Sequence, residues 1–356
     1  MKQIKKRGAI IGAGNIGVKF SEYQLPFHTT HMEAYLANPE IDLVAIADSD
    51  QRALQSAGKL FRGRTYSDYH EMLQREHPEL VSICTPDQTH FPILREVLKH
   101  ASVRGIWCEK PLAISLAEAK KMVADAGRHD IKLSVNFIRR YDPFYEFIKN
   151  HMEVLVGDVQ AVSCYYSGGI VTSGSHLLDL LVFLFGPCDE VSASASLSTG
   201  ATSAKNGLFG RLRFGPVSVT ITPMDTKQYS ILEMNIFGSD ARLDTINKPF
   251  GVYDYRYYLK QKDPVLGSRF IANDSRSPIP KDLPRDYMDA ALQDLLDSVG
   301  KNRAPGSSGK TALASLEIMH ALLYSAEHNG VNVRLPFRGK VKALPQSGGD
   351  VKMIKK

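Results

Sequence analysis

Along the first 140 or so residues, short apolar runs alternate with segments that carry apolar positions on one face. The runs are 9–11 (AII), 43–47 (LVAIA), 80–84 (LVSIC), 105–108 (GIWC) and 133–135 (LSV). They read as strands buried on both faces, because apolar positions follow one another with no charged residue and at most one serine in each run. The segments between them predict helices over 31–39, 51–60, 69–73, 89–100 and 115–128, the first three bounded by Pro39, Asp50 and Asp68. Strands alternating with helices predict a parallel, doubly wound α/β sheet. From Asp158 the pattern changes. Strand-like runs cover 159–166, 191–197, 207–214, 217–221, 231–237 and 252–258, with an apolar helix at 176–185 and two closing helices at 285–299 and 311–329. The stretch VSVTIT (217–222) alternates apolar with hydroxyl residues, as a sheet covered on one face does. The second part is therefore α+β, with a large, mostly antiparallel open sheet. The serine- and alanine-rich stretch 192–204 still alternates and reads as ordered.

The first run feeds directly into Gly12-x-Gly14-x-x-Gly17, with Asn15 and Ile16 completing the turn. Gly12 permits the tight turn out of the strand, Gly14 leaves room for a pyrophosphate, and Gly17 allows close packing of the next segment. In this context the motif predicts a Rossmann dinucleotide-binding domain over 1–140. A substrate-binding and oligomerising domain follows over 141–340, with a C-terminal helix returning to the first domain, and then a basic tail at 341–356. Asp48 ends the second strand and suits hydrogen bonds from an adenosine ribose, favouring NAD over NADP. It stands 31 positions past Gly17, where about 20 is usual. The stretch 18–30, with Pro26 and little periodicity, reads as an insertion that accounts for the excess. Asp48 or Asp50 serving only as a helix cap is the competing reading. Ligands in such sheets lie at the carboxyl ends of strands, where Gly12, Asp48, Thr85, Lys110 and Asn136 fall.

A chain of 356 residues exceeds one ordinary core, and 43% hydrophobic with 23% charged residues is the composition of a globular protein. Cys84, Cys108, Cys164 and Cys188 are widely separated, which predicts reduced thiols and no metal site. No run is long enough to span a membrane and no secretory leader is evident, so a cytoplasmic protein is expected. The net charge of +6 comes partly from the termini and forms no concentrated stripe of the kind nucleic acid requires.

Lys110 sits at a strand end between Glu109 and Pro111, and alone is explained equally well by an ion pair with Glu109. His176 opens an apolar helix, and alone reads as a capping or core histidine. In order, however, GAGNIG, AD at Asp48, CTPDQTH, CEKP, NFIRRYDP and GSHLLDLLVFLFG resemble the Gfo/Idh/MocA oxidoreductases over nearly the whole chain. The resemblance implies that Gly12, Gly14, Asn15, Ile16 and Gly17 hold the NAD pyrophosphate and Asp48 the ribose. It implies that Thr85, Pro86, His90 and Asn136 line the cofactor cleft, and that Glu109 and Lys110 lie by the nicotinamide ribose. Lys110 and His176 would be the catalytic pair, with Asp179 near the substrate. Tyr141 and Tyr166 are further candidates for substrate contact, with sheet packing as the alternative. Thr172 is a substrate-binding candidate as well; relatives often carry aspartate there, and threonine does not ionise usefully near neutral pH. The implied activity is hydride transfer between a nicotinamide and a CH–OH carbon of a sugar, cyclitol or nucleotide-sugar derivative. A redox-neutral elimination, epimerisation or glycoside cleavage on the same cofactor is the alternative, and a non-catalytic cofactor sensor is a third. The sheet built from 191–237 is expected to form a homodimer or homotetramer.

Overall fold

The computed structural model describes residues 5–195, 207–248, 252–265, 267–272, 276–280, 283–339 and 344. Residues 196–204 of the alternating serine-rich stretch and all but residue 344 of the expected basic tail lie outside the described residues. The chain divides into two compact units, one of 1–136, 286–312 and 343–356, the other of 137–285 and 313–342.

In the first unit, six parallel strands run in the order β3-β2-β1-β4-β5-β6. They are β1 (Lys6–Ile11), β2 (Ile41–Ala47), β3 (Arg64–Tyr66), β4 (Leu80–Ile83), β5 (Gly105–Cys108) and β6 (Lys132–Val135). This is the doubly wound Rossmann order, with its crossover point between β1 and β4. The four residues of β4 and of β5 are all buried, as their mostly apolar runs predict. Helices α1 (His31–Ala37), α2 (Gln51–Leu60), α3 (Tyr69–Glu76), α4 (His90–Val97) and α5 (Leu116–Arg128) connect them. Asp50 and Asp68 cap α2 and α3 by accepting from the N–H groups of Arg52 and His70. Thr30 and Glu33 form a reciprocal capping box at the start of α1. A later helix, α9 (Tyr287–Gly300), belongs to this unit and packs on α1, β5 and β6.

The second unit opens with α6 (Pro143–Asn150) and α7 (Met152–Val156), then β7 (Val159–Ser167) and α8 (Ser173–Phe185). Its sheet continues through β8 (Glu190–Ala195), β9 (Leu208–Phe214), β10 (Val217–Met224), β11 (Leu232–Gly238), β12 (Ala241–Lys248), β13 (Val252–Asp263), β14 (Gly267–Ala272) and β15 (Val333–Arg334). α10 (Gly309–Glu327) precedes β15. Among the described residues nine strands pair in the order β14-β13-β12-β11-β7-β10-β9-β8-β15. Only β7 and β10 pair in parallel, so the sheet is open and mostly antiparallel. β9 alternates buried and exposed positions along its whole length, and β11 alternates buried with half-buried ones. One face is thus core and the other far less covered. Strands β3, β12, β14 and β15 and helices α6 and α7 have no counterpart in the sequence reading.

Candidate active site

The glycine turn is built from three different constraints. Gly12 has φ +104°, and a side chain there would stand 2.7 Å from the Cys84 backbone. At Gly17 an added Cβ would lie 2.1 Å from the Gly12 carbonyl oxygen, so the turn closes on itself only without that atom. Gly14 is the opposite case: an added Cβ would meet nothing within 4 Å.

The segment after the turn is not the uninterrupted helix expected of this fold. The Gly14 carbonyl accepts from Val18 and Lys19, and Asn15 accepts from Phe20. The next donors into this ladder are His31, 3.0 Å from the Ile16 carbonyl, and Met32, 3.1 Å from that of Gly17. Residues 21–30 are skipped, and a short 3-10 turn, Lys19–Tyr23, lies across the break. Discounting those ten residues brings Asp48 to 21 positions past Gly17, close to the usual spacing.

At the carboxyl ends of β1, β2 and β4 lies a cavity of about 670 Å³. Gly12, Gly14, Asp48, Thr85 and Pro86 line it, as expected, together with Lys19, Asp50, Asp68 and Tyr69, which the sequence reading missed. Asp48 accepts the Ala13 N–H at 2.7 Å on one oxygen and the Asp50 N–H at 2.8 Å on the other. Each oxygen keeps a lone pair for a further donor. Asp50 has the capping role and Asp48 does not. The residues fit a dinucleotide: the open space at Gly14 is what a pyrophosphate lying against backbone requires, and the carboxylate at the end of β2 suits a ribose diol.

Beside this cavity's wall the strand ends carry a buried polar chain. His31 Nδ1 lies 2.9 Å from Ser82 Oγ, and Nε2 lies 3.1 Å from Glu109 Oε1. The Asn136 amide donates to the same Glu109 oxygen at 2.6 Å, and the Lys110 N–H donates to Oε2 at 3.2 Å. Burial pushes the Glu109 carboxyl up, but the hydrogen bond and charge of His31, the Asn136 amide and the Lys110 charge outweigh it, so the group is held below the ordinary carboxylate range. Glu109 and Asn136 are therefore buried supports, not wall residues of the cavity. His90 needs the same correction. It is 1% exposed, with Nδ1 3.0 Å from the Pro111 carbonyl and Nε2 2.8 Å from that of Thr85, so it ties the end of β4 to the turn after Lys110. Asn15, Ile16 and Gly17 form the turn without lining the cavity.

In the second unit, Thr172 stands at the N-cap of α8 and its hydroxyl donates to the Gly169 carbonyl at 3.1 Å. His176 lies one turn into the helix, half-buried, with the Phe137 ring edge-on at 6.0 Å. Asp179 is 1% exposed and accepts from Arg140 Nε at 2.7 Å and Nη2 at 2.9 Å. Burial pushes its carboxyl up, while Arg140 and the Ser315 hydroxyl pull it back. Its oxygens are committed to a buried ion pair, which corrects the expectation of substrate contact. Tyr166 is also corrected. It is 0% exposed, its hydroxyl donating to the Leu208 carbonyl at 2.9 Å and accepting the Leu208 N–H at 2.7 Å. Tyr141 is buried in the turn Ile138–Tyr141 that carries Arg140.

Residues 6–137 match the model of the GFO_IDH_MocA oxidoreductase family, NAD-binding Rossmann fold. Over that stretch the chain carries the NAD-binding Rossmann domain of the Gfo/Idh/MocA oxidoreductases. It is 28% identical over 351 residues to a myo-inositol 2-dehydrogenase from Thermotoga maritima, covering 90% of this chain and 96% of that one. It is 28% identical over 219 residues to a D-apiose dehydrogenase from Paraburkholderia graminis, where the match covers 56% of this chain and about half (55%) of the relative's length. Its fold is that of the WlbA dehydrogenase from Bordetella pertussis, crystallised in complex with NADH and UDP-GlcNAcA. The TM-score is 0.73 at 21% identity, over 94% of this chain and 100% of that one. Within the matched stretch, His31 is the buried polar residue beside the cavity that sequence reasoning passed over. Its signal was its place as the first residue of the resumed helix, bonded back to the Gly12–Gly17 turn. Among the described residues no helix is long and apolar enough to cross a membrane, and all four cysteines are free and buried.

Proposed function

We propose that this protein is an NAD-dependent oxidoreductase acting on a CH–OH group of a sugar, cyclitol or related polyol. The observation that carries the reading is the 670 Å³ cavity at the strand ends, with open space at Gly14 and the Asp48 carboxylate on its wall. Gly12 and Gly14 would hold the pyrophosphate, Asp48 the adenosine ribose, and Thr85 and Pro86 the opposite wall. Three carboxylates, Asp48, Asp50 and Asp68, line the cavity against one ammonium, Lys19, which disfavours the extra phosphate of NADP. When bound, NAD supplies the hydride acceptor.

The chain's own residues handle the proton and the oxygen. His176 takes the hydroxyl proton, and the Lys110 ammonium stabilises negative charge developing on that oxygen. Thr172 serves the turn before α8, so no carboxylate stands in for it there. The names of the relatives favour simple alcohol oxidation over redox-neutral chemistry. Purified protein with NAD and a panel of inositols, aldoses and nucleotide sugars should give absorbance at 340 nm and the matching ketone by mass spectrometry. Lys110→Met and His176→Ala should each lose about 10²-fold or more in kcat. Silence in both directions on every polyol, with NAD binding intact, would sink the proposal. The less covered face of the nine-stranded sheet is the surface proposed for self-association, and a monomeric mass by light scattering would refute that.

A further inference from the structure

Two side chains, those of His31 and Asn136, and the backbone N–H of Lys110 meet the Glu109 carboxylate. Asn136 reaches it from just past the end of β6, Ser82 on β4 stands behind His31, and Lys110, next in the chain, donates its backbone N–H. His31 comes from α1, whose first residue is docked onto the Ile16 carbonyl after the skipped segment. The imidazole is 0% exposed and packed against Trp107, with ring centroids 3.8 Å apart and ring planes tilted by 44°. An ionised carboxylate only accepts, so the His31 nitrogen facing it carries a proton.

The geometry points to His31 as a positioning residue for Lys110: through Glu109 it fixes a buried negative charge beside the lysine and aims the turn that presents the lysine's amine. This rests on the oxidoreductase reading for its purpose, though not for its physics. A buried carboxyl left with only an amide and a backbone N–H would favour its neutral form. Lys110 would then lose a neighbouring negative charge, and the small fraction of its side chain present as the free amine would rise. The other titratable groups facing Glu109 are the thiols of Cys84 and Cys108. Burial first, and the Glu109 charge second, push both well above their ordinary range, so they stay neutral spectators. The Asn136 amide cannot replace His31. Its orientation is fixed because a flip would turn Oδ1 onto the carboxylate, and that oxygen has no hydrogen-bond partner among the described residues.

The test reads the amine directly and needs no substrate. Apoprotein is treated at pH 7 with a limiting dose of an N-hydroxysuccinimide acetate, and acetylation of Lys110 is quantified by peptide mass spectrometry. Glu109→Gln removes the charge with little change of shape, His31→Gln keeps a donor without a charge, and His31→Leu removes both. Lys110 acetylation should rise roughly tenfold in Glu109→Gln and in His31→Leu, and by less in His31→Gln. Trp107 is the sole tryptophan, and its emission in each sample checks that the strand ends remain packed. A rise in Glu109→Gln with His31→Leu unchanged would overturn the role of His31. Unchanged labelling in all three would overturn the role of Glu109 as well. A wild-type protein inert toward every polyol, yet showing the labelling pattern, would sink the proposed reaction and leave the positioning role standing.

Discussion

Replacing Asp179 by alanine separates a buried structural pair from a substrate contact. The change leaves the Arg140 guanidinium, 6% exposed, without the two oxygens that answer it at 2.7 and 2.9 Å. The Phe183 ring, 5.3 Å from the guanidinium carbon, offers a cation–π contact but no acceptor. Removing one partner of such a pair costs about 3–5 kcal/mol. Against a typical stability of roughly 5–15 kcal/mol the unit still folds, but openings of α8 become roughly a thousandfold more frequent. Peptide-resolved hydrogen exchange over Ser173–Phe185 reads that change directly. The double variant Asp179→Leu with Arg140→Met removes both charges and should recover most of the protection, since apolar replacements of buried pairs are often neutral or better. If the single variant left exchange in α8 within about tenfold of wild type while KM rose, the carboxylate would be touching substrate. The assignment to a structural pair would then be wrong.

Three further outcomes follow from the same geometry. Gly17→Ala places a methyl 2.1 Å from the Gly12 carbonyl, so its thermal midpoint should fall; Gly14→Ala meets no protein atom, so it should melt as wild type but bind NAD at least about tenfold more weakly by calorimetry. Asp48→Ala loses the Ala13 and Asp50 N–H bonds as well as the ribose acceptor, and the ratio of NADP to NAD affinity should rise roughly tenfold or more in binding titrations. Burial pushes the Asp142 carboxyl up to about 6, against the Phe144 N–H it accepts and the charges of Arg139 and Arg285. An acid with a raised folded-state value holds its proton in the fold longer than in the unfolded chain, so stability falls as pH rises from about 4 to about 6. Asp142→Asn keeps the cap of α6 and should remove that slope, gaining at most roughly 3 kcal/mol at pH 7 and nothing below pH 4 in urea midpoints.

Five strands of the parallel sheet were legible because each carries a short, mostly apolar run between punctuating residues, and β5 (Gly105–Cys108) was read to the residue; the edge strand β3, of sequence RTY, carries no such run and was not read. The glycine turn and Asp48 were legible because their chemistry is local in sequence. The second unit's tyrosines were not. Tyr165 and Tyr166 are adjacent and point to opposite faces of β7, and which face is core depends on pairing with β10 and β11, distant in the chain. Asp179 misled for a related reason. Its spacing from His176 put both on one helix, but its partner Arg140 lies 39 residues back in a turn of no marked periodicity. β12 was missed because its apolar positions are broken by Asp244 and Thr245; Asp244 is satisfied by Arg242 at 2.6 and 2.7 Å, and the Thr245 hydroxyl takes the Met234 N–H.

The ladder that passes from Phe20 to His31 makes this position a splice joint. Because Ile16 and Gly17 find their donors across the gap, the helix is closed whatever the length of chain between, and lengthening a loop costs only a slowly growing entropy, about 0.6 kcal/mol per doubling. A peptide tag or a small folded module inserted between Tyr23 and Phe27 would enter where the chain already departs and returns. The strand ends that hold Asp48 and Glu109 would keep their register. The joint is thus a port through which the protein can gain a new attachment beside its cofactor site without renegotiating the fold beneath it.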